Sequence, residues 1–132
     1  MAAYTEHYHL HQWEPEDNFL RTDFNEDFKT LDTAISEKCR MACGMYTGDG
    51  SASRVILLDF TPSVVLLSTN TGEMYNFPTT YGGLAVAESP LVSYQYKYTA
   101  LGILENGFEI FSNNKFNANT NQSDVIYHYI AF

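Results

Sequence analysis

Alternation of apolar and polar positions is plainest at the end of the chain. In DVIYHYIAF, Val125, Tyr127, Tyr129 and Ala131 fall on one side and Ile126, His128, Ile130 and Phe132 on the other. A period of two belongs to a strand, and the absence of a polar tail after IAF predicts a last strand tucked into a sheet. The same reading covers most of what precedes it. MYTGDGSASRVILLDF predicts a strand end, a Gly-rich turn and a β-branched strand; Pro62 interrupts, and SVVLLS resumes as a buried strand. Asn70-Thr71-Gly72 is a turn, MYNF a short strand, and LAVAESPL a short one broken by Pro90. LVSYQYKYTALGILENGFEIFS predicts two runs flanking Asn106-Gly107, a dipeptide that accepts the positive φ angles of a type I′ hairpin turn. In its first run Val92, Tyr94, Tyr96 and Tyr98 share one face, and Ser93, Gln95, Lys97 and Thr99 the other. Many short strands without intervening helices predict an antiparallel sandwich.

A different period appears before Gly44. Phe24, Phe28, Leu31 and Ile35 are spaced 4, 3 and 4 residues apart, which predicts a short helix with a coiled-coil-like seam. Thr22 or Asp23 is its expected N-cap, with Glu26 three residues beyond Asp23. Lys38 and Arg40 are expected in its last turns, and Gly44 at its end. A seam of two heptads is marginal alone in water, so it needs partners: the β domain, or identical helices from other copies. Ahead of it, TEHYHLHQW alternates roughly and reads as extended.

Charge and composition refine this division. Residues 1–42 carry nine acids and four bases, and residues 43–132 seven acids and three bases. The expected organisation is mainly β: an extended N-terminal arm and short helix over 1–43, then an antiparallel β-sandwich head over 44–132. With 132 residues, 45% of them hydrophobic, the chain has material for a packed core. A net charge of −9 without a basic patch argues against nucleic acid. No apolar run predicts membrane insertion, and MAAYTEH lacks the features of a secretion signal. Cys39 and Cys43 are too few for structural zinc and, on one helix face, poorly placed for a disulfide; they read as small buried thiols.

Candidate chemistry is sparse. The acids of the second part, Asp49, Asp59, Glu73, Glu88, Glu105, Glu109 and Asp124, mostly flank turns, and His128 has no evident nucleophile beside it. No nucleotide loop or nucleophile elbow appears, so no catalysis and no cofactor are expected. TGDGS is a glycine-rich turn, with neither the lysine nor the helix of a phosphate loop. His7, His9 and His11 would point the same way in a strand, neighbours about 6.5–7 Å apart, and one chain would gather them badly around an ion. Three chains about an axis would present six imidazoles. Tyr8 and Leu10 on the opposite face explain the alternation as packing, and no metal is assigned. NNKFNANTNQS, with five asparagines, is the recognition candidate: amides match sugar hydroxyls, and Phe116 adds an apolar patch. PTTYGG, with Tyr75 and Tyr81 nearby, could complete a shallow site, and the row Tyr94, Tyr96 and Tyr98 could stack on sugar rings or form the inner or intersubunit face of a sheet. The expected ligand-binding set is Tyr81, Asn114, Phe116 and Asn117.

YTEHYHLHQWEPEDNFLRTDFNEDFKTLDTAI resembles the attachment arm and helix that begin many small phage tail-fibre and appendage proteins from viruses and prophages of Gram-positive gut bacteria. YTGDGSASRVILLDFTPSVVLL, with ENGFEI and YHYIAF downstream, is similar to the compact β domain that ends such fibres. The resemblance implies a virion component, made in the host cytoplasm, that assembles as a homotrimer and contacts the host surface; the asparagine-rich loop makes a cell-surface glycan the expected ligand. Residues 1–20 would dock on other virion proteins, and Phe24, Phe28, Leu31 and Ile35 would form the trimer seam. A structural accessory of the particle, with no receptor, is the alternative it leaves open.

Overall fold

The computed structural model describes residues 3–38 and 40–132. The chain divides into two compact units, residues 1–39 and 40–132. The division precedes the expected Cys43–Gly44 boundary because both of those residues lie inside a strand, β3 (Ala42–Thr47).

The first unit holds a two-stranded hairpin, β1 (Ala3–Tyr4) and β2 (His11–Gln12), and the helix α1 (Arg21–Ser36). The histidine stretch is therefore not a continuous strand. Leu10 N–H bonds the Thr5 hydroxyl at 2.9 Å, and His9 takes a φ of 52°. Chain reversal separates the three imidazoles. His11 alone turns to the helix: its backbone N–H and Nδ1 both donate to the Asp27 carboxylate, at 3.0 and 2.9 Å. That carboxylate is buried. Rings run from Tyr4 through His11, Trp13, Phe19 and Phe24 to Phe28, with centroid spacings of 4.5–5.5 Å. Neither Thr22 nor Asp23 caps the helix. Leu20 occupies that position without a side-chain bond, while the Thr22 hydroxyl donates to Asp23 at 3.2 Å. The helix ends at Ser36, before Lys38, Arg40 and Gly44.

This arrangement carries a pH prediction. The hydrogen bond to Asp27 raises the His11 imidazole above its ordinary 6.5, aided by Asp23 Oδ2 at 3.8 Å from Nε2. A raised folded value means stabilisation complete below pH 6.5 and lost as pH climbs through the folded value. Trp13, the chain's one tryptophan, stacks on His11 at 5.5 Å and 17°. Its fluorescence is expected to titrate with a midpoint above 6.5, and Asp27→Asn to lower that midpoint. A midpoint at or below 6.5 in the unsubstituted chain would remove the pairing.

Apart from the 3-10 turn Asn114–Phe116, the regular structure of the second unit is all strand: β3, β4 (Ser53–Leu57), β5 (Val64–Thr69), β6 (Tyr75–Asn76), β7 (Thr79–Thr80), β8 (Gly83–Val86), β9 (Leu91–Val92), β10 (Thr99–Leu104), β11 (Gly107–Asn113), β12 (Ala118–Asn119) and β13 (Ile126–Ala131). One sheet has the order β3-β13-β5-β8, antiparallel throughout. The other runs β6-β7-β12-β11-β10-β9, with β4 also on β11; its β7–β12 bridge is parallel. Tyr46, Val65, Leu67, Ala85, Tyr127 and Ala131 of the first sheet share one core with Leu101, Phe108 and Ile110 of the second. Phe108 meets Tyr129 edge-on at 5.0 Å. The chain is thus mainly β with sandwich-like packing.

The terminal strand alternates as its sequence dictates. Tyr127 and Ala131 are fully buried, and Ile126, His128 and Ile130 face outward. Gly44 pairs with Tyr129, and a Cβ there would come within 2.5 Å of that hydroxyl. The β10–β11 hairpin forms with Glu105-Asn106 as its two-residue loop, so only Asn106 takes a positive φ, 57°. Gly107 is needed for another reason: a Cβ would collide with the Ile56 carbonyl of β4. Cys43 is an exposed free thiol, not a buried one; Cys39 lies outside the described residues. No helix among these residues is long and apolar enough to cross a membrane.

Candidate functional site

The asparagine stretch splits into two halves with opposite roles. Asn119, Thr120 and Asn121 are buried. The Asn121 amide donates to Asp49 at 2.7 Å, and Tyr46 and Tyr127 donate to the Thr120 and Asn119 carbonyls at 2.6 and 2.7 Å. This lock also organises the TGDGS turn. Bonds from Ser51 and Asn121 hold the Asp49 carboxyl down at about 2. Burial raises both tyrosine hydroxyls, that of Tyr127 to about 12, and keeps them neutral donors.

The other half stays at the surface. Asn114–Phe116 is a single 3-10 turn, begun by the Asn113 side chain accepting from Phe116 N–H at 3.3 Å. Asn117 closes it in the left-handed conformation, φ 55° and ψ 37°, which asparagine tolerates. Its carbonyl accepts from Thr80 N–H at 2.9 Å, tying the turn to β7. The Asn114 side chain accepts from Asn119 at 2.7 Å.

Against this turn lies a second one. The run expected as a tyrosine-faced strand reverses direction between β9 and β10, because buried Ser93 closes it. Ser93 N–H donates to Tyr98 O at 2.8 Å, Ser93 O accepts from Lys97 N–H at 3.0 Å, and its hydroxyl accepts from Tyr98 N–H at 3.2 Å. Lys97 takes a φ of 53°. Tyr98 consequently stacks on Phe116 at 5.0 Å and 16°, and Tyr96 meets the same ring edge-on at 5.6 Å. Tyr94 approaches Tyr75 of β6 at 6.2 Å. The Asn117 amide reaches Gln95 Oε1 at 3.4 Å. A shallow cavity of about 280 Å³ adjoins them, lined by Tyr75, Tyr94, Lys97 and Leu91 among others. The product is an aromatic platform edged by amides and two lysines.

Of the expected set, Asn114, Phe116 and Asn117 come together here. Tyr81 does not join them: it is half-buried, it acts electrostatically on Tyr127, and no ring contact links it to Phe116. The sequence places Tyr75 beside the expected site and offers the tyrosine row as a sugar stack, but neither is in the expected set, and Gln95, Lys97 and Lys115 have no role in it. The signal was the density of aromatic and amide residues in two polar segments; a strand assignment for 92–99 hid it.

A second surface feature lies on the outward face of the β3-β13-β5-β8 sheet. A groove of about 460 Å³ is lined by Cys43, Met45, Leu66, Met74, His128 and Ile130. Met45 is 65% exposed, and Leu84 on β8 56%. Among the described residues, no three His, Cys, Asp or Glu side chains gather as a metal site. No family model matches the chain, and neither a curated protein nor a solved structure does.

Proposed function

We propose that this chain is a phage fibre or baseplate-associated virion protein, a homotrimer that binds a host surface glycan without cleaving it. The aromatic platform carries the binding half of this reading. Tyrosine rings present apolar faces suited to the C–H faces of sugars, with hydroxyl tips that stay wet. The neighbouring amides offer donors and acceptors together. The platform is built on turns braced by a β scaffold, where binding sites commonly lie. The assembly half draws on α1. Phe24, Phe28 and Ile35 of the seam are 40%, 56% and 67% exposed, while Leu31 is half-buried. Burying what remains exposed of each Phe against other copies would contribute roughly 1 kcal/mol. Residues 1–20 are the proposed dock for other virion proteins.

Phe116 is half-buried in its stack, so the cleaner variants are Tyr94→Ala and Tyr96→Ala, at side chains 65% and 53% exposed. Each is expected to weaken adsorption of labelled protein to host cells by roughly tenfold. Melting should shift by no more than about 2 °C, as for surface substitutions. Unchanged adsorption overturns the site, and release of reducing sugar overturns non-catalytic binding. Light scattering at micromolar concentration should read three chains; a stable monomer overturns the assembly. The exposed apolar groove on the β3-β13-β5-β8 face favours a second reading. It suits a neighbouring particle protein, as in a structural accessory without a receptor.

A further inference from the structure

We propose that the platform selects an anionic saccharide, one bearing phosphate or carboxylate groups, and that Lys97 and Lys115 read its charge. This rests on the platform being a glycan site. The segments that build it are residues 74–83, 91–100 and 110–122. They hold none of the chain's 16 acids but two of its seven bases. In a chain of net charge −9 that is a local reversal of sign.

The placement of the lysines strengthens the case. Lys97 Nζ lies 5.5 Å from the Tyr94 ring centroid, and Lys115 Nζ 5.3 Å from that of Phe116. Both are exposed. Among the described residues neither is in an ion pair, whereas Arg54 lies 3.9 Å from Asp49 and donates to the Thr47 carbonyl. Lys97 belongs to the turn whose Tyr96 and Tyr98 contact Phe116, and Lys115 directly precedes Phe116. Both ammonium groups thus border the surface on which a sugar ring would lie. Each retains donors for an anionic oxygen while resting over an aromatic face. A long nucleic acid would also meet aromatic rings and lysines, but two lysines neutralise too few phosphates to hold one, and oligo-dT enters the test as the competing class.

The test uses the full chain and matched polymers. Polygalacturonate is set against its methyl ester, and a phosphomannan against the same mannan after phosphatase, with oligo-dT as a third class. At low salt, at least one charged polymer should bind about tenfold tighter than its neutral partner, two exposed ion pairs being worth that much together. The preferred pair tells carboxylate from phosphate. Raising the salt should erode the difference. The double variant K97Q/K115Q should lose the preference and keep the weaker binding of the neutral polymer. Equal binding of charged and neutral partners, or an unaltered preference in the double variant, overturns charge reading and leaves the glycan site standing. Binding of none of the saccharides overturns both, as does oligo-dT binding tighter than every saccharide.

Discussion

Deleting Ile130–Phe132 is expected to leave no soluble folded protein. Ile130 and Ala131 end β13, the strand paired on both sides, with β3 and β5, and Phe132 follows it. Ile130 is opposite Cys43 and Leu66, and Ala131, fully buried, is opposite Ala42 and Val65. Phe132 accepts from the N–H groups of Ser63 and Val64 at 2.8 Å each and donates to Val64 O at 3.0 Å. The truncation removes partners from two strands at once and opens the core beside Val65. Each buried backbone group left unpaired costs about 1–3 kcal/mol, against a typical domain stability of about 5–15 kcal/mol. The exposed strand edges also invite association with other chains. Size-exclusion chromatography and circular dichroism of the truncated chain check this. A soluble product that melts within a few degrees of the full chain would remove β13 from its place between β3 and β5.

Thr120→Val is expected to cost about 2–5 kcal/mol although it preserves shape. The β10–β11 ladder stops at Leu101 opposite Ile110. The next residues in that register are Ala100 and Phe111, and the Thr120 hydroxyl stands in for their bond. It donates to the Ala100 carbonyl and accepts from Phe111 N–H at 2.9 Å. Thr120 is fully buried, so water does not replace the hydroxyl. Valine leaves one donor and one acceptor unsatisfied, each at about 1–3 kcal/mol. For a unit of this size the melting temperature should fall by about 10–30 °C. Thr120→Ser keeps the hydroxyl and gives up one methyl, about 1 kcal/mol. The two variants therefore separate the hydrogen bonds from the packing. A valine variant that melts like the serine variant would show that the hydroxyl is dispensable.

The buried lock around Thr120 also shows where sequence reading stopped. NNKFNANTNQS looks uniformly polar, and nothing local divides it after Ala118. The division arises because Tyr46 and Asp49, more than seventy residues away, join nearby Tyr127 in bringing donors and acceptors that allow polar residues to be buried. Likewise Val92, Tyr94, Tyr96 and Tyr98 alternate as a strand would. Only the closure by Ser93 and the positive φ at Lys97 show that the chain turns there. Half the platform was legible as Asn114, Phe116 and Asn117. The tyrosine row was legible as a sugar-stacking alternative, but its place beside Phe116 was not, because ring stacking between segments some twenty residues apart has no signature in either.

By itself the sequence determined whatever one segment decides alone. Alternating or continuously apolar runs rich in β-branched, aliphatic and aromatic residues specify strands, and DVIYHYIAF and SVVLLS formed them as β13 and β5. The helical spacing from Phe24 to Ile35 specified α1, and Asn106-Gly107 a tight reversal between β10 and β11, though the loop itself is Glu105-Asn106. The tertiary structure decided everything that depends on a distant partner. It set the helix start at Leu20 without a side-chain cap. It drew His11 away from its two neighbours, to a buried carboxylate on α1. It gave Gly107 a role in admitting the β4 backbone instead of bending the chain. The physical reason is common to all three. Local propensities differ by about 1 kcal/mol or less, and a buried hydrogen bond or a steric clash with a neighbouring strand outweighs them.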